Sequence, residues 1–182
     1  MIYLDNGATS FPKPDCMLKA MAQCIKYYCG NPGRSGHSLS IITGEKVFET
    51  RNVLAEFIGA GGRGERIVFT ANTTQALNIA IKGVLQKGDH VVTTAMEHNS
   101  VLRPLYAMQK KGVELTIAAS GENGTVDFDA IEAAIRENTK AIVCTHASNL
   151  TGNLTDMQRM GEMARRHGLF LIADASQTAG VV

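Results

Sequence analysis

Three apolar runs each end in a polar loop whose residues suit one part of a flat, charged ligand. Ile67-Val68-Phe69-Thr70 leads into Ala71-Asn72-Thr73-Thr74. His90-Val91-Val92-Thr93-Thr94 leads into Met96-Glu97-His98-Asn99-Ser100, and Leu169-Phe170-Leu171-Ile172-Ala173 into Asp174-Ala175-Ser176-Gln177. Thr73 and Thr74 open a helical pattern directly after a strand pattern. Free backbone N–H groups and the positive end of the helix dipole make that place suit an anion. Capping of the helix by Thr73 explains the same pair without a ligand. The His98 imidazole can stack on a ring and move a proton near neutral pH, or simply hydrogen-bond within its loop. Asp174 follows five apolar residues, and a carboxylate buried there needs a partner. A protonated ring nitrogen is one partner, and a turn that Asp174 caps is the other. Gln177 can donate to a ring oxygen. A fourth run ends in Thr145-His146-Ala147-Ser148-Asn149, where Asn149 can donate and accept within one site or sit in the turn that Thr151-Gly152 supports. The set suits a phosphate, a ring face and a ring nitrogen.

The elements that must position these loops alternate from Ile67 onward. Strands are expected at 67–70, 90–94, 113–118, 140–145 and 169–173. Helices are expected at about 74–85 and 101–111, after Asp127, and after Thr155, which pairs with Gln158 as a capping box. Gly168 stops the last of these. Helices alternating with apolar strands imply βαβ units, a mostly parallel sheet covered on both faces, and right-handed crossovers. In such a sheet, ligands bind outside the carboxyl ends of the strands, which is where the four loops fall. Met157, Met160 and Met163 line one helix face and read as core packing. Residues 1–66 are organised differently. Leu18, Met21, Ala22 and Ile25 form an apolar stripe, a Gly/Pro/Ser-rich loop spans 30–37, and a long helix covers about 39–58.

At 182 residues, 45% of them hydrophobic, the chain is long enough for one sizeable core. A formal net charge of +1 with interspersed signs leaves no footprint for nucleic acid or an anionic membrane surface. Arg165-Arg166 reads as a helix-end pair of cations. No apolar run approaches a membrane span, and the first residues lack a signal-peptide pattern. Cys16, Cys24, Cys29 and Cys144 make no CxxC pattern and no metal site. They read as reduced thiols of a cytoplasmic protein, with Cys144 in the core.

Several segments, in one order, carry a family resemblance: Tyr3-Leu4-Asp5-Asn6-Gly7-Ala8-Thr9, residues 31–39 (NPGRSGHSL), 69–78 (FTANTTQALN), 96–100 (MEHNS), 145–149 (THASN) and 174–177 (DASQ). The chain resembles the N-terminal part of class V aminotransferase-fold enzymes, nearest the cysteine desulfurase and selenocysteine lyase branch. The resemblance implies a three-layer α/β sandwich, the large domain of the fold type I enzymes that depend on pyridoxal 5'-phosphate (PLP). It implies that residues 67–182 form part of that domain. By position, Thr73 and Thr74 resemble the phosphate cup and His98 the catalytic histidine stacked on the ring. Asp174 resembles the partner of the ring nitrogen, Gln177 the contact to the phenolic oxygen, and Asn149 a cofactor- and substrate-facing asparagine. Asn6, Ala8, Arg34 and His37 match segments bordering the substrate entrance.

The activity implied is conversion of cysteine to alanine with sulfur left on the enzyme, in a homodimer that passes sulfur to an acceptor protein. The family's Schiff-base lysine, in a Ser-Gly-His-Lys-like segment, is expected beyond Val182, and none of the nine lysines here matches it. The persulfide cysteine, the substrate-carboxylate arginine and the small C-terminal domain are expected there too. Asn72 stands where desulfurases commonly carry glycine or another small residue. An epimerase, selenocysteine lyase or aminotransferase of the same fold stays open. So do an inactive fragment serving in binding and a phosphate-ligand domain without covalent chemistry.

Overall fold

The computed structural model describes residues 2–33 and 36–181. It divides into two compact units, residues 1–69 and 70–182.

In the first unit, α1 (Asp15–Gln23) continues into a π-helical turn, Cys24–Tyr28, and α2 (Ser38–Phe57) follows. The His37 ring caps α2 by accepting the Ser40 N–H at 3.2 Å. The stripe expected from Leu18, Met21 and Ile25 is present, and all three side chains are more than half exposed. A nine-residue helix is marginal by itself, because most helical stability in proteins comes from packing an apolar face.

The second unit holds α3 (Thr73–Val84), β1 (His90–Thr94), α4 (Asn99–Gln109), β2 (Glu114–Ala118), α5 (Phe128–Ala133), β3 (Thr139–Thr145), α6 (Met157–Arg166) and β4 (Phe170–Asp174). The four strands form one parallel sheet in the order β2-β1-β3-β4. Strand periodicity sends alternate residues to opposite faces, and the packing follows. Val91, Ala141 and Val143 meet Leu77 and Ile81 of α3 and Val101, Leu105 and Met108 of α4. Val92, Ile142 and Cys144 meet Ile131 of α5 and Met160, Met163 and Ala164 of α6. The sheet is thus covered on both faces, with the Met stripe in the core as its spacing predicts. Burying each large side chain in these layers contributes roughly 1.5–3 kcal/mol.

Two expectations are corrected. Residues 67–70 form no strand, and Val68 is 71% exposed. A strand exists by pairing its backbone groups with a neighbour, and none pairs with this segment among the described residues. The start of α6 is capped by Asp156, whose carboxylate accepts the Arg159 N–H at 3.0 Å. Thr155 instead donates its hydroxyl to the Thr145 carbonyl at 2.8 Å, and Gln158 turns to Glu162 at 3.2 Å. The threonine is buried and faces a strand end with a free acceptor, so the sheet claims it and the next residue takes the cap. The expected stop at Gly168 is found, with φ at +66°, where glycine meets no Cβ penalty.

Candidate cofactor site

The chain leaves β1 for β2 on one side of the sheet and leaves β3 for β4 on the other, so the strand order reverses between β1 and β3. At such a reversal, loops diverge at the carboxyl ends and open a crevice. The loops after β1 and β3 carry His98 and Asn149. In register, Thr145 at the end of β3 lies beside Asp174 at the end of β4, and Gln177 follows in the next turn. Sequence position and topology therefore bring four of the expected residues to one end of the sheet.

The start of α3 adds the fifth and sixth. Asn72, not Thr73, is the cap: its side chain accepts the Gln75 N–H at 2.9 Å. Gln75 returns the favour by accepting the Ala71 N–H at 2.8 Å. A polar residue at position 72 is thus accounted for by helix capping. The backbone N–H groups and hydroxyls of Thr73 and Thr74 carry no hydrogen bond among the described residues. They remain free for an anion at the positive end of a 12-residue helix.

His98 caps α4. Its Nδ1 accepts the Ser100 N–H at 3.1 Å and lies 2.8 Å from the Ser100 hydroxyl. An accepting Nδ1 assigns the neutral ring's hydrogen to Nε2. Thr74 and His98 line one cavity of about 440 Å³ together with Asn78, Ser100 and Arg103. Asn149, Asp174 and Gln177 do not line it. Asn149 is exposed in its turn.

Asp174 is 4% exposed. Its Oδ1 accepts the Ser176 N–H at 3.0 Å and the Ser176 hydroxyl at 2.5 Å, so it caps the following turn. Its Oδ2 accepts no hydrogen bond among the described residues, which leaves one oxygen for a cationic ring nitrogen. The turn and the ligand are not exclusive alternatives, because a carboxylate has two oxygens to give.

Glu97 was not singled out by its sequence context. It is 8% exposed, and its Oε1 accepts the Thr94 hydroxyl at 2.6 Å and the Thr145 N–H at 3.0 Å. Oε2 is buried with no partner among the described residues. Burial pushes its carboxyl up to about 7, helped by the nearby Asp174 charge and opposed by the two hydrogen bonds. The sequence signal available was a carboxylate beside a chemically suggestive histidine, three residues past the end of a strand of five buried residues. Cys144 is fully buried, as expected, and burial raises its thiol to about 12.

The remaining expected residues belong to the first unit. Asn6 accepts the Phe11 N–H at 3.0 Å, Ala8 donates its N–H to Asp5 in a turn, and His37 caps α2. Arg34 lies outside the described residues. In the second unit, Lys82, Lys87, Lys110, Lys111 and Lys140 sit in or after helices and at the amino end of β3, away from the carboxyl ends of the strands. No helix among the described residues is long and apolar enough to cross a membrane, and no group of three or more metal-ligating side chains occurs among them.

The family model for class-V aminotransferases matches residues 2–181. The chain belongs to that family. It is 36% identical over 180 residues to a probable cysteine desulfurase of Methanothermobacter thermautotrophicus, covering 98% of this chain and 44% of that protein. It is 37% identical over 184 residues to the cysteine desulfurase IscS of Pectobacterium carotovorum, covering 98% and 45%. Among solved structures, the apo cysteine desulfurase of Thermococcus onnurineus superposes with a TM-score of 0.88 at 34% identity, over 98% of this chain and 45% of that one. SspA in complex with cysteine superposes at 0.85 and 25% identity, over 94% and 50%. The chain therefore spans less than half the length of these curated relatives, and it shares the α/β fold of the desulfurase structures over that part.

Proposed function

We propose that these residues form the cofactor-holding part of a PLP-dependent cysteine desulfurase. The observation that carries the reading is the set of unused groups at the reversal of the sheet. These are the free N–H groups and hydroxyls of Thr73 and Thr74, the His98 ring beside them, and the unpaired oxygen of nearly buried Asp174. A phosphate, a ring face and a cationic ring nitrogen are what such a set fits, and the named relatives are cysteine desulfurases.

When bound, PLP supplies a ring that withdraws electrons from the α-carbon of an amino acid. Thr73 and Thr74 would hold the phosphate at the start of α3. The His98 ring, held through Nδ1 by Ser100, would keep the flat face in place. Asp174 would hold the ring nitrogen in its protonated form, with Ser176 supporting the other oxygen. Gln177 would donate to the ring oxygen, and Asn149 would face cofactor and substrate. Asn6, Ala8, Arg34 and His37 would border the entrance. None of the nine lysines lies in a Ser-Gly-His-Lys-like segment and the second unit supplies none to the carboxyl ends of its strands, so the Schiff-base lysine would come from outside these 182 residues. A homodimer, a sulfur-acceptor partner and a cytoplasmic location complete the proposal, and the free cysteines suit a reducing compartment.

Release of alanine and sulfide from cysteine, with PLP and a reductant, tests it. A full-length protein carrying these residues is expected to turn over, and Asp174→Ala and His98→Ala are each expected to abolish most of that. The 182 residues alone are expected to show none. Turnover by the 182 residues that is lost on changing one of their own lysines would overturn the assignment of the lysine. A full-length protein that transaminates or epimerises without releasing sulfide would overturn the desulfurase reading.

A further inference from the structure

Glu97 links two loops of the site without lying in either expected role. Its Oε1 gathers the Thr94 hydroxyl from the end of β1 and the Thr145 N–H from the end of β3. That single oxygen closes the gap across the reversal of the sheet, one residue before the histidine that caps α4. Its Oε2 is buried and bare. An ionised carboxylate spreads its charge over both oxygens, so ionisation would leave charge on an atom with neither water nor donor. A proton on Oε2 removes that charge and leaves both hydrogen bonds to Oε1 intact.

The surroundings point the same way. Asp174, beside Thr145 across the β3–β4 pairing, repels a second negative charge. Two Ser176 donors support Asp174. Cys144, the other titratable group coupled to Glu97, is a neutral thiol that offers no compensating charge. Each carboxyl takes one hydroxyl and one backbone N–H on a single oxygen, and the second oxygen of Glu97 is the one that is buried without a partner, so Glu97 is the group on which a second negative charge is most disfavoured.

We propose that Glu97 is a positioning residue of the cofactor site: a neutral carboxylic acid that ties the His98 loop to the end of β3 and leaves Asp174 as the single negative charge facing the ring nitrogen. The inference rests on the cofactor reading above and adds a residue to it.

The test uses pyridoxine 5'-phosphate, which has no aldehyde and so cannot react with surface lysines. Its dissociation constant is measured by fluorescence at pH 6 for the 182-residue chain, Glu97→Gln and Glu97→Ala, with circular dichroism confirming that each is folded. Glutamine keeps an acceptor for Thr94 and Thr145 and carries no charge, so it is expected to bind within about threefold of the unaltered chain. Alanine strands two buried donors and is expected to bind about tenfold more weakly. In parallel, 13C NMR of side-chain carboxyl-labelled glutamate is expected to show one carboxyl titrating near pH 7, missing from Glu97→Gln. Glutamine binding as weakly as alanine would overturn the proposal, because a charge rather than a neutral tie would then be needed. Absence of the late-titrating carboxyl would overturn it independently. No binding by the unaltered chain would overturn the cofactor reading and this role with it, and a late-titrating carboxyl seen alongside would show that the failure lies in that reading rather than in the protonation of Glu97.

Discussion

Replacing Glu97 with glutamine should change how stability depends on pH. In the folded chain, burial raises this carboxyl from 4.5 to about 7. Between those values the folded state keeps the proton and the unfolded chain has released it. Stability therefore falls as pH rises through that window and levels off above about 7 to 8. At ~1.4 kcal/mol for each pH decade of displacement, the complete loss is roughly 3 kcal/mol. Some of it has already occurred at pH 5, which lies above 4.5, so the loss between pH 5 and pH 8 is roughly 2–3 kcal/mol.

Glu97→Gln removes the titration and keeps the hydrogen bonds to Thr94 and Thr145. Its amide nitrogen takes the place of the unpartnered Oε2, at a cost of about 1–3 kcal/mol that does not vary with pH. Glutamine should thus be the less stable form at pH 5 and should recover most or all of the deficit by pH 8. Urea unfolding followed by circular dichroism at half-unit intervals measures this, provided the slope with denaturant stays the same for both forms. Titrating groups that do not interact with Glu97 cancel in the difference between the two chains. A difference that stays constant within about 0.5 kcal/mol from pH 5 to pH 8 would refute the assignment of a buried, late-titrating acid, since the reasoning requires several times that change.

His90 is fully buried, with its two ring nitrogens 2.8 Å from the Thr139 hydroxyl and 2.9 Å from the Thr116 hydroxyl. Burial lowers its basicity, with Arg136 adding to the effect. The stability it contributes is present above 6.5 and is lost as pH falls through the depressed value, so its ring resonances should titrate below those of a free histidine by NMR. Ile142 lies at the centre of β3 with no exposed surface. Ile142→Ala should cost about 2–5 kcal/mol in urea unfolding, and a loss below 1 would mean that this layer is loosely packed. The Asp127 carboxylate accepts the N–H groups of Asp129 and Ala130, each at 3.0 Å. Asp127→Ala should cost about 1 kcal/mol by the same assay, the usual effect of removing a helix cap.

The second unit was legible because its two signals are strong and agree. Apolar runs too short for helices alternate with periods near 3.6, and parallel βαβ geometry is the packing that satisfies both. Residues 67–70 carry the same apolar signal, yet a run of residues states only a willingness to pair. The ladder needs a neighbour, and none is present among the described residues. Thr155 failed as a cap for a related reason. The capping-box pattern is local, and it cannot register that the Thr145 carbonyl waits across the fold. The apolar stripe of α1 was legible as periodicity, but periodicity does not say what, if anything, covers it.

Glu97 shows where residue-by-residue reading stops and topology takes over. His98 and Asp174 could be noticed separately, because each ends a strand with a chemically suggestive side chain. That their loops face one another follows from the strand order, which places β1 and β3 side by side while their onward connections part. At that parting the backbone ends of two strands present donors with no ladder partner ahead of them, and something must accept the Thr145 N–H. A glutamate reaches across from the end of β1 to do so. Satisfying that donor with a carboxyl rather than a backbone carbonyl brings a titratable group beneath the crevice. The need to close the end of the sheet and the electrostatics of the site thereby become one property, which one side chain can alter.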